Sequence, residues 1–515
     1  MGFRKVAAGY LFQKNMSCLL FTRRFLLKKL LIACCLVILY SNVSAQIKNP
    51  GFELKSDSLN SLPANWIIKH ADGFTTLLDE NIKFAGTNSF SIKSVQNVNP
   101  ASYSIFSQTF DINVDQLKII MFSAYVKTEN IKGTAALYCQ VKDRDNRIIG
   151  TQNMDSKSVT PTSSDWNKYN ISIAVNSNAK KILVGGYLIG EGAVWYDEFS
   201  MENLQFQTAP PSNDVKQYIK EFAGIVKKYS IYTKKLNWTG IDADIDKLSG
   251  GIKTVDDAQL LTAYIISELR VAGDNHSFVQ SKASAVNYAK QNVDTRQPYA
   301  KLLPGNIGYI WLPGFASTSD TASAAFAGKI QKLISDLDTK NDILGWIVDL
   351  RHDNGGNMHP MIAGLGPIIG NGILGYFISP ETNKSTPWMY KDGKVTNGAA
   401  TTSKVLDAYT IKNPGSKVAV LTGPETASSG EMTTICFIGK TNAKLFGLPT
   451  GGYTTANRGF KLSTGAYLYL ASSYAADRNK KEYLGKIEPD VLIKDTKENG
   501  DDASIRAATE WIQGK

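Results

Sequence analysis

The period of the apolar residues changes once along this chain, at Pro210-Pro211, and that change sets what the chain can fold into. Upstream, from 46 to 204, the apolar residues come in short alternating runs broken by turn residues, as in Ile119 to Val126, Tyr169 to Ile173 and Ile182 to Val184. No run there repeats at three to four, so the spacing predicts an all-β antiparallel sandwich. Downstream of a linker at 205–214, Val215, Tyr218, Ile219, Phe222, Val226 and Tyr229 recur at three and four, which predicts a helix. A second helix is expected to open at Thr254, with Asp257 three places on as a capping box, and to stop at Gly273. Beyond 301, strands (Ile307 to Trp311, Trp346 to Leu350, Val418 to Leu421) alternate with helices at 320–338 and 429–439. That alternation predicts an α/β core over 301–515, preceded by a helical region at 215–300.

The net charge of +11, from 57 Lys+Arg against 46 Asp+Glu, invites a nucleic-acid reading that its distribution excludes. Arg4, Lys5, Lys14, Arg23, Arg24, Lys28 and Lys29 all lie in residues 1–45, which contain no acid. They precede an apolar run, Leu30 to Tyr40, and then Ser41-Asn42-Val43-Ser44-Ala45. A basic start, a short apolar core and small residues at −3 and −1 read as a signal peptide cleaved after Ala45, so the mature chain is expected in the periplasm or outside the cell. The run is too short to span a bilayer, and membrane attachment would need an uncleaved or lipidated leader. Leu31-Ile32-Ala33-Cys34 imitates a lipoprotein box, but most of the apolar residues follow Cys34 rather than precede it. Without the leader the charge falls to +4, too little to argue for nucleic acid. Cys139 and Cys436 remain, far apart in sequence, and are expected to be free and buried.

Three stretches could carry chemistry. Of the four histidines, at 70, 276, 352 and 359, His276 stands in Gly273-Asp274-Asn275-His276-Ser277-Phe278 just past a helix stop, with polar neighbours able to orient its ring. The strand ending at Leu421 runs through Thr422 to Ala427 into Ser428-Ser429-Gly430-Glu431 and a helix. A hydroxyl raised at such a turn faces free amides and the positive end of the dipole, as a serine nucleophile requires. From spacing alone, Ser428 or Ser429 could equally cap the helix. Finally, Asp349-Leu350-Arg351-His352-Asp353-Asn354-Gly355-Gly356 ends a buried strand on bare backbone amides, which suit half of an oxyanion hole. Arg351 is expected to tie that loop down.

Together, in this order and with Pro489-Asp490 near the end, these stretches resemble the tail-specific (C-terminal processing) serine peptidases, in a PDZ-less branch similar to the tricorn core. The resemblance implies a crotonase-like α/β fold, a protein or peptide substrate, Ser428 as nucleophile, and an oxyanion hole from the amides of Ser429 and of Gly355 or Gly356. It implies no catalytic cofactor, and His352, Asp353 and His359 make a poor metal-ligand set. The lysine base of many relatives falls on Tyr453, in Gly447-Leu448-Pro449-Thr450-Gly451-Gly452-Tyr453. A phenol is a poor base at neutral pH, so His276 becomes the expected base, with Glu482 to orient it and Asp477 and Ser277 as rivals. Asn457 takes the place of a supporting glutamine. Only about thirty residues separate Phe278 from Ile307, too few for a PDZ domain. In the N-terminal half, Asn49-Pro50-Gly51-Phe52-Glu53, Gly86 to Phe90 and Gly192 to Glu198 resemble jelly-roll carbohydrate-binding modules. That resemblance implies a structural calcium held by Glu53 and Asp197, and a glycan or envelope surface met through Trp66, Trp166 or Trp195. The rival expectation is an inactive peptidase scaffold that binds glycan or a hydrophobic ligand.

Overall fold

The computed structural model describes residues 47–515 apart from 58–60, 101, 155–162, 291–293, 295, 495–496 and 499–500. The expected leader lies outside the described residues. The chain divides into two compact units, the first ending at Gln205 and the second made of Phe206–Lys515 together with Val141–Thr151.

The first unit is all β, with a difference from the expected pair of sheets: eight strands form one continuous sheet that curls over its own core. The cause is strand length. Lys118–Lys142 and Lys181–Leu204 run for 25 and 24 residues, long enough to belong to both faces. Where they cross, Gly133 has φ +149 and a Cβ there would lie 2.0 Å from the Ile189 carbonyl oxygen, so only glycine fits. The core is aromatic: Phe52, Phe90, Phe106, Phe122 and Tyr196 are fully enclosed, and Phe90 meets Phe106 edge-on at 4.8 Å.

The calcium expectation does not suit the groups around Glu53 and Asp197. Asp197 Oδ2 accepts from the amides of Phe84 and Ala85, and its Oδ1 from Glu198 N–H. Glu53 takes the Thr87 and Asn88 amides and the Thr87 hydroxyl. A cation needs oxygen lone pairs, and hydrogens already point at these oxygens. The hydrogen bonds themselves tie Glu53 and Asp197 to the 84–88 segment, while burial raises Asp197 to about 6. Trp66 and Trp195 belong to the core, their indole N–H groups donating to the Asn49 carbonyl and to Asp79. Trp166 alone of the three is half-exposed, edge-on to Phe84, which stacks on Tyr125.

In the second unit Ser212 caps the helix Asn213–Tyr229, whose inner face is Val215, Tyr218, Phe222 and Val226, as the spacing predicts. Thr254 and Asp257 do bond to each other, but they close a turn, and the helix itself is Gln259–Val271. A further helix, Trp238–Ser249, was not expected: it buries only Ile241, Ile245, Leu248 and Ser249, and the aspartates at 242, 244 and 246 alternate with apolar residues and mask the helical period.

The α/β core is built on a six-stranded sheet in the order 299–303, 307–311, 345–349, 417–422, 443–447, 491–492, parallel except for its first edge strand. The strand Gly345–Asp349 is buried at every residue, as a parallel strand covered on both faces must be. A second, antiparallel sheet contains Thr455–Lys461 and Tyr467–Asp477 and accepts Phe278–Gln280 as an added strand, Phe278 opposite Tyr469. That pairing fixes the chain just after His276. Near the C-terminus Asp490 accepts the Leu445 amide, which ties the Pro489-Asp490 motif to the parallel sheet. Cys139 and Cys436 are free and buried. Among the described residues no helix is long and apolar enough to cross a membrane.

Candidate active site

Ser428 sits where the parallel strand Lys417–Thr422 gives way to the short helix Ser429–Ile435, at φ 54 and ψ −115. A serine carries that left-handed backbone only when its surroundings hold it there. Glu431 does the holding. Its carboxylate, fully enclosed, accepts the amides of Ser428 (2.9 Å), Gly452 (2.8 Å) and Tyr453 (2.7 Å) and the hydroxyl of Thr450 (2.5 Å). Burial raises its pKa, and those four donors pull it back.

His276 Nε2 lies 2.9 Å from Ser428 Oγ, across 152 residues of sequence. The loop carrying it folds around Asp274, whose buried carboxylate accepts the amides of His276 and Ser277 and the Ser277 hydroxyl. From the other side Asn457 donates to the His276 carbonyl at 2.8 Å, a support matching the position that the sequence assigned it. The other ring nitrogen, Nδ1, faces Thr455 Oγ1 at 3.0 Å. A hydroxyl that accepts from Nδ1–H leaves Nε2 as the lone-pair nitrogen toward Ser428.

Among the described residues no carboxylate is hydrogen-bonded to the ring of His276. Glu482 lies exposed on a two-residue strand opposite Ala476, and its side chain makes no bond to His276. Asp477 is buried, and it binds the amides of Asn479 and Lys481 and the Tyr483 hydroxyl. The Ser277 hydroxyl donates to Asp274 and accepts the Ala471 amide, so it is not free to orient the ring. Thr455 takes the place that the sequence assigned to an acid. Sequence offered no signal for it, because sheet pairing alone brings it to a histidine 179 residues away.

Burial lowers His276 to about 4, with the contact to Thr455 pulling the other way. The ring is therefore neutral at neutral pH, the form a base needs. Turnover that depends on this ring is expected to hold down to about pH 5 and to fall only as the pH approaches 4, well below the limb of a free imidazole. A pH profile of kcat/KM checks this; a limb near the ordinary imidazole value would contradict it. Thr455→Val is expected to lower kcat by roughly tenfold with little change in KM, the effect of losing one neutral hydrogen bond. Thr455→Ser should restore it.

Beside Ser428 the Gly355-Gly356 loop packs so closely that a Cβ at Gly355 would lie 2.9 Å from Ser428 Cβ. Its geometry narrows the expected oxyanion donors. The Gly355 amide is already bonded to Asp353 Oδ1 at 3.1 Å. The Ser429 hydroxyl donates to the Gly356 carbonyl at 2.7 Å and so steers that peptide. The amides of Gly356 and Ser429 remain for an oxyanion. Asp353 is wholly buried, its Oδ2 has no partner among the described residues, and burial pushes its pKa well above the ordinary carboxylate range. Arg351 pairs with Asp349 and Asp502 and ties the loop to the C-terminal helix, as expected. Among the described residues no three His, Cys, Asp or Glu side chains cluster as metal ligands; His352 is exposed and bonded to Glu425, while His359 is half-buried and lines the cleft.

A serine on a strained elbow, a neutral histidine at hydrogen-bond distance and backbone amides alongside are the parts of an acyl-transfer site. Residues 306–493 match the family model of peptidase family S41. The chain carries an S41 peptidase domain. It is a hydrolase of the serine-peptidase class. The chain is similar to the nisin-resistance protein of Lactococcus lactis subsp. lactis, 27% identical over 344 residues that cover 65% of this chain and 98% of that protein. The structure of a lipoprotein from Streptococcus agalactiae covers 60% of this chain and 99% of its own, at 25% identity and a TM-score of 0.48. The N-terminal unit resembles carbohydrate-binding modules. One is the CBM22-1 xylan-binding domain of Paenibacillus barcinonensis Xyn10C, which covers 30% of this chain and 90% of its own at 14% identity and a TM-score of 0.20.

Proposed function

We propose that this chain is an exported serine endopeptidase in which Ser428 forms the acyl-enzyme and His276 is the general base. Ser428 Oγ attacks the peptide carbonyl while His276 Nε2 takes its proton, and Thr455 keeps Nδ1–H pointing away. The amides of Gly356 and Ser429 hold the oxyanion. The imidazolium then gives its proton to the leaving amine, and water resolves the ester by the same route reversed. The single observation that carries this reading is the 2.9 Å contact between His276 Nε2 and Ser428 Oγ. That contact also speaks against an inactive scaffold, which would have no use for so close a pair. With Tyr453 in the lysine's place, its ring edge-on to His276 at 5.7 Å, the base is a histidine as in the tricorn-like branch.

Full-length protein incubated with an unstructured protein digest should release new peptide ends, read by mass spectrometry, and Ser428→Ala protein should release none. Since one relative is named for nisin resistance, nisin belongs among the peptides offered. New ends that persist in the variant would end this reading. The N-terminal unit would dock the enzyme to glycan through Phe84, Tyr125 and Trp166. A glycan array with full-length protein tests this, and identical profiles for the parent and Trp166→Ala would count against it.

A further inference from the structure

The cleft over Ser428, about 940 Å³, has three cations in its wall, Arg270, Lys384 and Arg458, and among the described residues that line it there is no aspartate or glutamate. A second hollow of about 270 Å³ shares Asn275, His276 and Thr455 with it and adds one more charged residue, Lys235, again a cation. A chain with 46 acids to 57 bases would ordinarily scatter both signs over such surfaces. Behind Arg270 the enclosed carboxylate of Asp274 offsets part of its charge, and the guanidinium donates to the Thr151 hydroxyl at 3.3 Å. Among the described residues none of the four enters an ion pair, whereas Arg296 and Arg351, just outside the cleft, are each paired with aspartate. Arg458 is held instead by the rings of Tyr229 and Phe460, at 5.0 and 4.9 Å. Of the acids nearest the site, Asp274 and Glu431 are enclosed and hold three and four donors respectively, and Asp353 is wholly buried behind the Gly355 amide.

We propose that this cleft selects peptide segments bearing a carboxylate near the scissile bond, and that Arg270 is its main partner. The carboxylate could come from an acidic side chain or from a free C-terminus. Arg270 is half-buried at the end of the helix Gln259–Val271, six residues before His276, and lines the cleft beside it. A partly desolvated guanidinium attracts an anion far more strongly than an exposed one and offers a planar fork for both oxygens. Lys384 and Arg458, exposed on the rim, would steer the anion inward rather than hold it.

This inference deepens the peptidase reading and rests on it, so the test separates the two. Binding of labelled ten-residue peptides to full-length Ser428→Ala protein is followed by fluorescence anisotropy. One peptide is neutral and amidated, one amidated with an internal Glu, and one neutral with a free C-terminal carboxylate. At least one anionic peptide should bind about tenfold more tightly than the neutral one, a difference that shrinks with added salt and shows which source of carboxylate is used. Arg270→Gln in the same background should remove most of the preference, and Arg270→Lys should keep part of it. Equal affinity for all three peptides, or an unchanged preference in Arg270→Gln, overturns the proposal. Cleavage of the same peptides by the parent protein tests the other reading: hydrolysis without preference leaves the peptidase standing and the anion site refuted, while preferential binding without hydrolysis does the reverse.

Discussion

Replacing Ser428 by alanine is expected to lower kcat/KM on any peptide substrate by at least about 10³-fold while leaving the fold and peptide affinity intact. Alanine removes one oxygen and leaves the anchoring of the elbow untouched, since Glu431 grips the backbone at 428 and not the side chain. His276→Ala should cost a similar factor. The two groups act as one unit, nucleophile and base 2.9 Å apart, so the double variant should be no worse than either single one. Additive losses would mean that His276 serves something other than Ser428, and the contact would then be structural.

The second large effect concerns Glu431. Its four donors arrive from two segments, the elbow itself and Thr450 to Tyr453. Glu431→Gln keeps the shape but points amide hydrogens at backbone hydrogens that need an acceptor. Losing charge-assisted bonds in an enclosed site and leaving their donors unpaired should destabilise the protein by about 3 kcal/mol or more. Turnover should fall with it, because among the described residues nothing else holds the amide of Ser428 at φ 54. Chemical denaturation and kcat on the same preparation check both parts. An unchanged midpoint would show that the carboxyl is protonated in the folded protein, in which case glutamine would be its close mimic.

The core of the site was legible because its motifs are local. A turn of small residues before a helix, a glycine pair after a buried strand and a histidine after a helix stop are each ambiguous alone; their order, and the family resemblance it carries, singled out Ser428 and His276 and left Gly355 and Gly356 as alternatives. What orients those groups comes from elsewhere in the chain and left no local trace. Thr455 reaches His276 only because Phe278–Gln280 joins the strand Tyr467–Asp477, which is itself paired with Thr455–Lys461. Glu482 was expected on sequence position, yet the strand carrying it turns its carboxylate to solvent. Likewise the Gly355 amide looked as available as that of Gly356 until Asp353 was seen to occupy it. In the N-terminal unit the alternation revealed strands but not that two of them are long enough to merge both faces into one sheet.

The most direct measurement is labelling of the full-length protein with a fluorophosphonate probe, followed by peptide mapping. A neutral histidine at 2.9 Å should make Ser428 the labelled residue, with labelling lost in His276→Ala and declining as the pH drops toward about 4. A folded protein that takes no label, takes it on another serine, or reacts equally well without His276 would contradict the pairing of Ser428 with His276.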